Sequence, residues 1–258
     1  MRRLLSWTVP ALWLLGGCAG NGIHGTPRYE RPPPVVDGAG NWTIFVDREP
    51  FGPDGSRRMC TPDRRLCALL RRAGGWALDV EEDGGPARTV AAWPKEADIY
   101  YYLDAFAFRE ARGAWLIAID RNRYRRRSNG SRSAVTTSLF RIVPGVATAA
   151  PVLDAPTYGD NDPSCAGPGN CPPIRLLEAR FYLDLANRSG PPRFILDSFA
   201  RMILRPRPPP TSQGESTARG TPDEACSYRR IFSLDPASGR YLPDAPLPAC
   251  DDYLNVDG

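Results

Sequence analysis

From residue 42 onward, bulky apolar side chains alternate with polar or small ones at a spacing of two, the period of a half-buried strand rather than of a helix. The clearest run is Trp115-Leu116-Ile117-Ala118-Ile119-Asp120, in which 115, 117 and 119 carry the bulk. Aromatic and β-branched runs predict strands over 42–47, 66–70, 76–80, 89–93, 99–109 and 115–125, then over 134–143, 175–185, 193–204, 227–234 and briefly near Tyr241. The breaks at 82–85, 111–113, 187–190 and 236–239 each hold glycine, which supplies positive φ in turns. The pattern predicts an all-β chain of antiparallel meanders.

Two tracts with Tyr-Leu-Asp near their starts, at 102–104 and 182–184, run through a glycine turn to Asp120 or Asp197. They close on Leu153-Asp154-Ala155-Pro156 and on Leu242-Pro243-Asp244-Ala245-Pro246. Tandem four-stranded units suit a small propeller-like or stacked-sheet arrangement, with a β-sandwich as the alternative. Residues 205–222 lack a large anchor and read as a mobile insertion, and 156–173 read as a second, cysteine-punctuated loop.

Upstream of the strands the chain changes character. Arg2 and Arg3 precede a short apolar stretch, 4–15, that ends in Leu15-Gly16-Gly17-Cys18. The stretch is too short to span a bilayer and has the order of a secretory signal. It resembles the lipobox of bacterial lipoproteins. That resemblance implies cleavage before Cys18, acylation of Cys18, and a lipid-anchored envelope protein. Ala19, which is not an aspartate, points to the outer membrane with the domain facing the periplasm. The division expected is 1–17 signal peptide, 18–40 lipidated cysteine and tether, and 41–258 globular domain. The glycine- and proline-rich tether spans roughly 25 Å as a flexible coil.

Loss of the signal leaves 31 basic against 29 acidic side chains, so no global charge favours nucleic acid. With 24 glycines and 28 prolines, turns are favoured over long helices. Beyond Cys18 there are six cysteines, an even number that outside the cytoplasm indicates disulfides. Six allow fifteen pairings; spacing groups them as Cys60 with Cys67, Cys165 with Cys171 and Cys226 with Cys250. A zinc site lacks both a Cys-x-x-Cys pair and histidines, and no cofactor is expected.

Catalytic chemistry finds little support in the residues present. His24, the only histidine, lies in the tether, which disfavours a Ser-His-Asp triad. Lys95, the only lysine, sits in a turn-like setting. Paired carboxylates would serve a glycan hydrolase, and Asp104, Asp120, Asp184 and Asp197 follow apolar residues at expected strand ends, where backbone capping in turns is the simpler role. Asp160, Asn161 and Asp162 place three oxygen ligands in a row, without the remainder of a calcium loop. The densest charge is Arg121, Arg123 and Arg125, continued by Arg126 and Arg127. On a strand, 121, 123 and 125 share a face suited to lipopolysaccharide phosphates, peptidoglycan carboxylates or an acidic envelope protein; a solvated hairpin tip that discourages edge aggregation is the structural alternative. A non-catalytic binding or scaffolding domain is the expectation, with a glycan hydrolase as the alternative.

Overall fold

The computed structural model describes residues 44–45, 47–48, 56–72, 74–110, 113–165, 171–184, 186–187, 190–204 and 220–257. The signal, Cys18, the tether and most of the 205–222 insertion lie outside the described residues. In chain order the elements are β1 (Ile44–Phe45), β2 (Asp47–Arg48), β3 (Arg57–Cys60), β4 (Leu66–Arg72), β5 (Gly75–Glu82), β6 (Arg88–Pro94), β7 (Ile99–Arg109) and β8 (Trp115–Arg127). They continue with β9 (Gly130–Ile142), β10 (Pro151–Pro163), β11 (Ile174–Leu183), β12 (Phe194–Ile203), β13 (Thr221–Pro222), β14 (Tyr228–Leu234), β15 (Tyr241–Pro243) and the single-turn α1 (Asp251–Leu254). Among the described residues no helix is long and apolar enough to cross a membrane.

The strands form two antiparallel sheets. A small sheet runs β2-β3-β4-β5-β6, and a ten-stranded sheet runs β1-β7-β8-β9-β10-β11-β12-β14-β15, with β13 on β12. The two tandem tracts do become successive meanders, but β10 pairs with β11, so they share one ladder instead of standing as separate propeller blades. Nor are they in register: Tyr102-Leu103-Asp104 lies within β7 beside an irregularity, whereas Asp184 follows the end of β11.

The arrangement is one of stacked sheets around two apolar layers. Met59, Leu66, Leu70, Leu78 and Val80 of the small sheet pack on Ile99, Leu103, Trp115, Ile117 and Ile119 of the large one. On the opposite face, Phe108, Leu116, Ala118 and Leu139 meet Phe181, Phe194, Leu196, Phe232 and Tyr241 from the far end of the same sheet. The large sheet therefore curls over β7–β9, and β8 is buried on both faces at its start. Leu116 and Ala118 are as inaccessible as the bulky set 115, 117 and 119, so the alternation in this segment is one of size between two cores and not of inside and outside.

β10 escapes the sequence pattern because three prolines and Gly159 break it, yet it is a central strand. Register shifts fall between Pro151 and Leu153 and between Pro156 and Tyr158, next to two of those prolines. Such bulges tolerate a residue without an N–H and bend the strand where the sheet turns back. Gly159 is needed for another reason: a side-chain carbon there would stand 2.6 Å from the Tyr253 carbonyl of α1. α1 is further held by the Cys226–Cys250 disulfide and by Tyr253, whose hydroxyl donates to Asp223 at 2.8 Å. Cys60–Cys67 ties neighbouring ends of β3 and β4, and Cys165–Cys171 closes the loop after β10. All three bonds are the local couples grouped by spacing.

At the β8–β9 hairpin Gly130 has φ 131°, and an added carbon would stand 2.2 Å from the Asp162 carbonyl. Strain and backbone collision coincide, so Gly130→Ala should lower stability by about 2–4 kcal/mol. Urea unfolding checks this, and a loss below ~0.5 kcal/mol would contradict it.

Candidate functional site

β8 has 13 residues and extends roughly 43 Å, longer than the face the small sheet covers. Its odd-numbered face is core at Trp115, Ile117 and Ile119 and emerges beyond the small sheet at Arg121, Arg123, Arg125 and Arg127. The alternation that fills the core thus aims the arginines outward along one line.

Where β8 emerges, the edge of β6 stands beside it and leaves a groove of about 670 Å³. Trp93, Tyr101 and Phe140 form its apolar wall, with Trp93 stacked on Tyr101 at 4.6 Å and edge-on to Phe140 at 5.6 Å. Arg121, Glu96, Ser138 and Asp154 supply its polar groups. Burial pushes the Tyr101 hydroxyl above its ordinary pKa, opposed by the charge and hydrogen bond of Arg121. The segment after β9 closes the far side. Arg88 donates to the carbonyls of Val143 and Val146, and the Ala149 N–H donates to the Val90 carbonyl at 2.8 Å.

The three sequence-selected arginines share the β8 face but not the same partners. Arg121 lines the groove, and among the described residues it has no carboxylate partner. Arg123 and Arg125 instead reach Asp257 at 2.6 and 3.2 Å. Arg127 donates to the Asp257 carbonyl at 3.3 Å, and Arg132, opposite Arg125 on β9, donates to the Asn255 carbonyl at 3.1 Å. The tip of the arginine row is therefore engaged and not simply solvated. A smaller cleft of about 130 Å³, between Glu96–Ile99 and Arg123, Arg125 and Asp257, adjoins the groove through Glu96.

The aspartates expected at strand ends are mostly elsewhere. Asp104, Asp120 and Asp197 lie inside β7, β8 and β12. Asp120 accepts from Thr137 at 2.6 Å, and Asp197 has Arg180 and Arg229 as its cross-strand neighbours. Only Asp184 takes the turn role, accepting from the Ala186 N–H at 3.1 Å and pairing with Arg193 at 2.7 Å. The loop drawn over 156–173 is strand up to Pro163, so Asp160, Asn161 and Asp162 are ladder residues, and alternation sends Asn161 to the opposite side from the other two. Among the described residues no group of three metal-ligating side chains converges. The 205–222 insertion likewise ends in β13, which pairs with β12.

Trp93, Tyr101, Phe140, Arg132 and Asp257 were not singled out by sequence. The aromatics read as ordinary strand residues, and only the register placing Arg132 opposite Arg125 identifies its role. Compared with models of protein families, with curated proteins and with solved structures, the chain matches none.

Beneath the groove, Asp79 anchors β4 to β6. Burial alone would raise its pKa, but hydrogen bonds from Arg71 and Thr89 and the Arg71 charge leave it lowered. A lowered folded-state value means stability that is present above the ordinary carboxylate range and lost as pH falls through it. Asp79→Asn should therefore be less stable than wild type at pH 7, and the gap should close below about pH 4. Thermal melts across that range test it; a gap independent of pH would contradict it.

Proposed function

We propose that the chain is a lipoprotein anchored through Cys18 in the outer membrane, whose all-β domain binds an anionic envelope component along the arginine face of β8. The observation that carries this reading is Arg121, an exposed guanidinium set against an aromatic wall in the large groove without a carboxylate partner among the described residues. A guanidinium in that setting pairs readily with a carboxylate or phosphate. The lipobox supports the anchoring half, and the tether lets the domain stand off the membrane.

Binding is favoured over hydrolysis by the bonds that Asp154, one of the two groove carboxylates, makes within the protein. Asp154 accepts from Ser138 at 2.5 Å and from Arg240 at 3.3 Å, one bond to each oxygen. Both of its oxygens are thus taken up within the protein, whereas the paired carboxylates of a glycosidase must both face the scissile bond. Purified protein incubated with solubilised envelope fractions should retain an anionic component, less of it as salt rises. The combined change of Arg121, Arg123 and Arg125 to serine should abolish retention while leaving the melting curve cooperative. Equal retention by that variant would reject this surface.

A further inference from the structure

We infer that the component recognised by this face is an extended acidic polypeptide, which adds as a strand to the free edge of β6 and places a carboxylate on Arg121. This rests on the binding reading above and names its partner class. Three observations converge on it.

First, among the described residues β6 pairs only with β5, so one edge of the small sheet ends at the groove. The Trp93 carbonyl faces β5, lying 2.5 Å from where a Gly75 side-chain carbon would stand. Alternation then turns both peptide groups of Ala92 away from β5, towards the groove that Ala92 lines. Second, the same edge already accepts a strand-like rung from Ala149 to Val90. Ala92 is the next outward residue, and Pro94, without an N–H, limits the edge beyond it.

Third, the arginine row grips an acidic peptide segment of this chain. Asn255-Val256-Asp257 lies across it, bound by the Asp257 carboxylate to Arg123 and Arg125 and by backbone carbonyls to Arg127 and Arg132, with Val256 buried. Side-chain charge and main-chain carbonyls are read together, as an extended peptide would present them and a phosphate or sugar would not. Arg121 continues that row into the groove, where main-chain rungs give affinity and the aromatic wall takes alternate side chains.

The test uses the purified full-length protein in detergent and three probes: a fluorescent Asp-Val-Asp-Val-Asp-Val peptide, lipopolysaccharide, and soluble peptidoglycan fragments. The peptide should bind, and Arg121→Ser should weaken it about tenfold or more, as expected for loss of a charge-assisted hydrogen bond. Ala92→Pro removes an N–H that β5 does not use, so the protein should still fold, and peptide binding should fall by a similar factor. Peptide binding insensitive to Ala92→Pro, in protein shown to be folded, would overturn strand addition. Arginine-dependent binding of lipopolysaccharide or peptidoglycan fragments without the peptide would overturn the inference and leave the broader reading standing. Binding of none of the three would overturn both.

Discussion

Cys18→Ser will move the protein from the membrane pellet to the soluble envelope fraction, with its signal still attached or removed elsewhere. The expectation follows from the Leu15-Gly16-Gly17-Cys18 run after a charged start and a short apolar stretch. Each methylene of an acyl chain contributes roughly 0.8 kcal/mol when buried, so two or three chains anchor durably and their loss is decisive. Membrane fractionation with and without high salt, together with labelling by a fatty-acid analogue, reads both consequences of the substitution. Retention in the pellet after a salt wash would show that something other than the thiol at 18 holds the protein there.

The second large effect lies in the fold. Glu110, just after β7, receives Arg141 of β9 at 2.8 and 2.9 Å and the Tyr241 hydroxyl of β15 at 3.0 Å. Arg141 also donates to the Gly239 carbonyl at 2.7 Å and lies over the Tyr241 ring. This cluster locks the last strand of the large sheet over its second and fourth, holding the curl where no β-ladder does. Burial and the neighbouring Glu110 charge push the Tyr241 hydroxyl strongly upward, so it stays protonated as the donor. The Arg141 and Glu110 side chains are 20% and 13% exposed, enclosed enough that removing one strands the other.

Arg141→Ala should therefore cost about 3 kcal/mol, at the low end of the range for broken buried pairs. For a domain of this size that lowers the melting temperature by roughly 6–12 °C. The pair Arg141→Met with Glu110→Leu should recover most of the loss, because no charge is then left without its partner. A single variant that melts within ~2 °C of wild type would show that the cluster does not clamp the sheet.

Strands whose alternation is unbroken were legible in the sequence. β7 was bounded at 99 and 109, and β4, β5, β6, β8, β9, β11, β12 and β14 came within a few residues. β10 was missed because Pro151, Pro156 and Pro163 argue locally against a strand, and only its two bulges reconcile them with a central position. β3 was missed because Arg57 and Arg58 mask the buried Met59 and Cys60. α1 is a single turn, held by a disulfide and the Tyr253–Asp223 bond more than by helical propensity.

The site was half legible for a related reason. Arg121, Arg123 and Arg125 announce themselves by spacing along one strand. Their division between a groove and Asp257 depends on where the small sheet stops and where residues 255–257 return, which are long-range outcomes of packing. Trp93, Tyr101 and Phe140 look the same in sequence whether they line a groove or fill a core.

Site-specific photocrosslinking in intact cells asks whether the groove is occupied where the protein works. A crosslinking amino acid at Thr148, on the groove wall, is compared with one at Arg229 on the far part of the large sheet. A discrete adduct should form from position 148 and disappear when Arg121 becomes serine, with no such adduct from 229. No adduct from 148, or one that persists unchanged without Arg121, would contradict a binding site on this face.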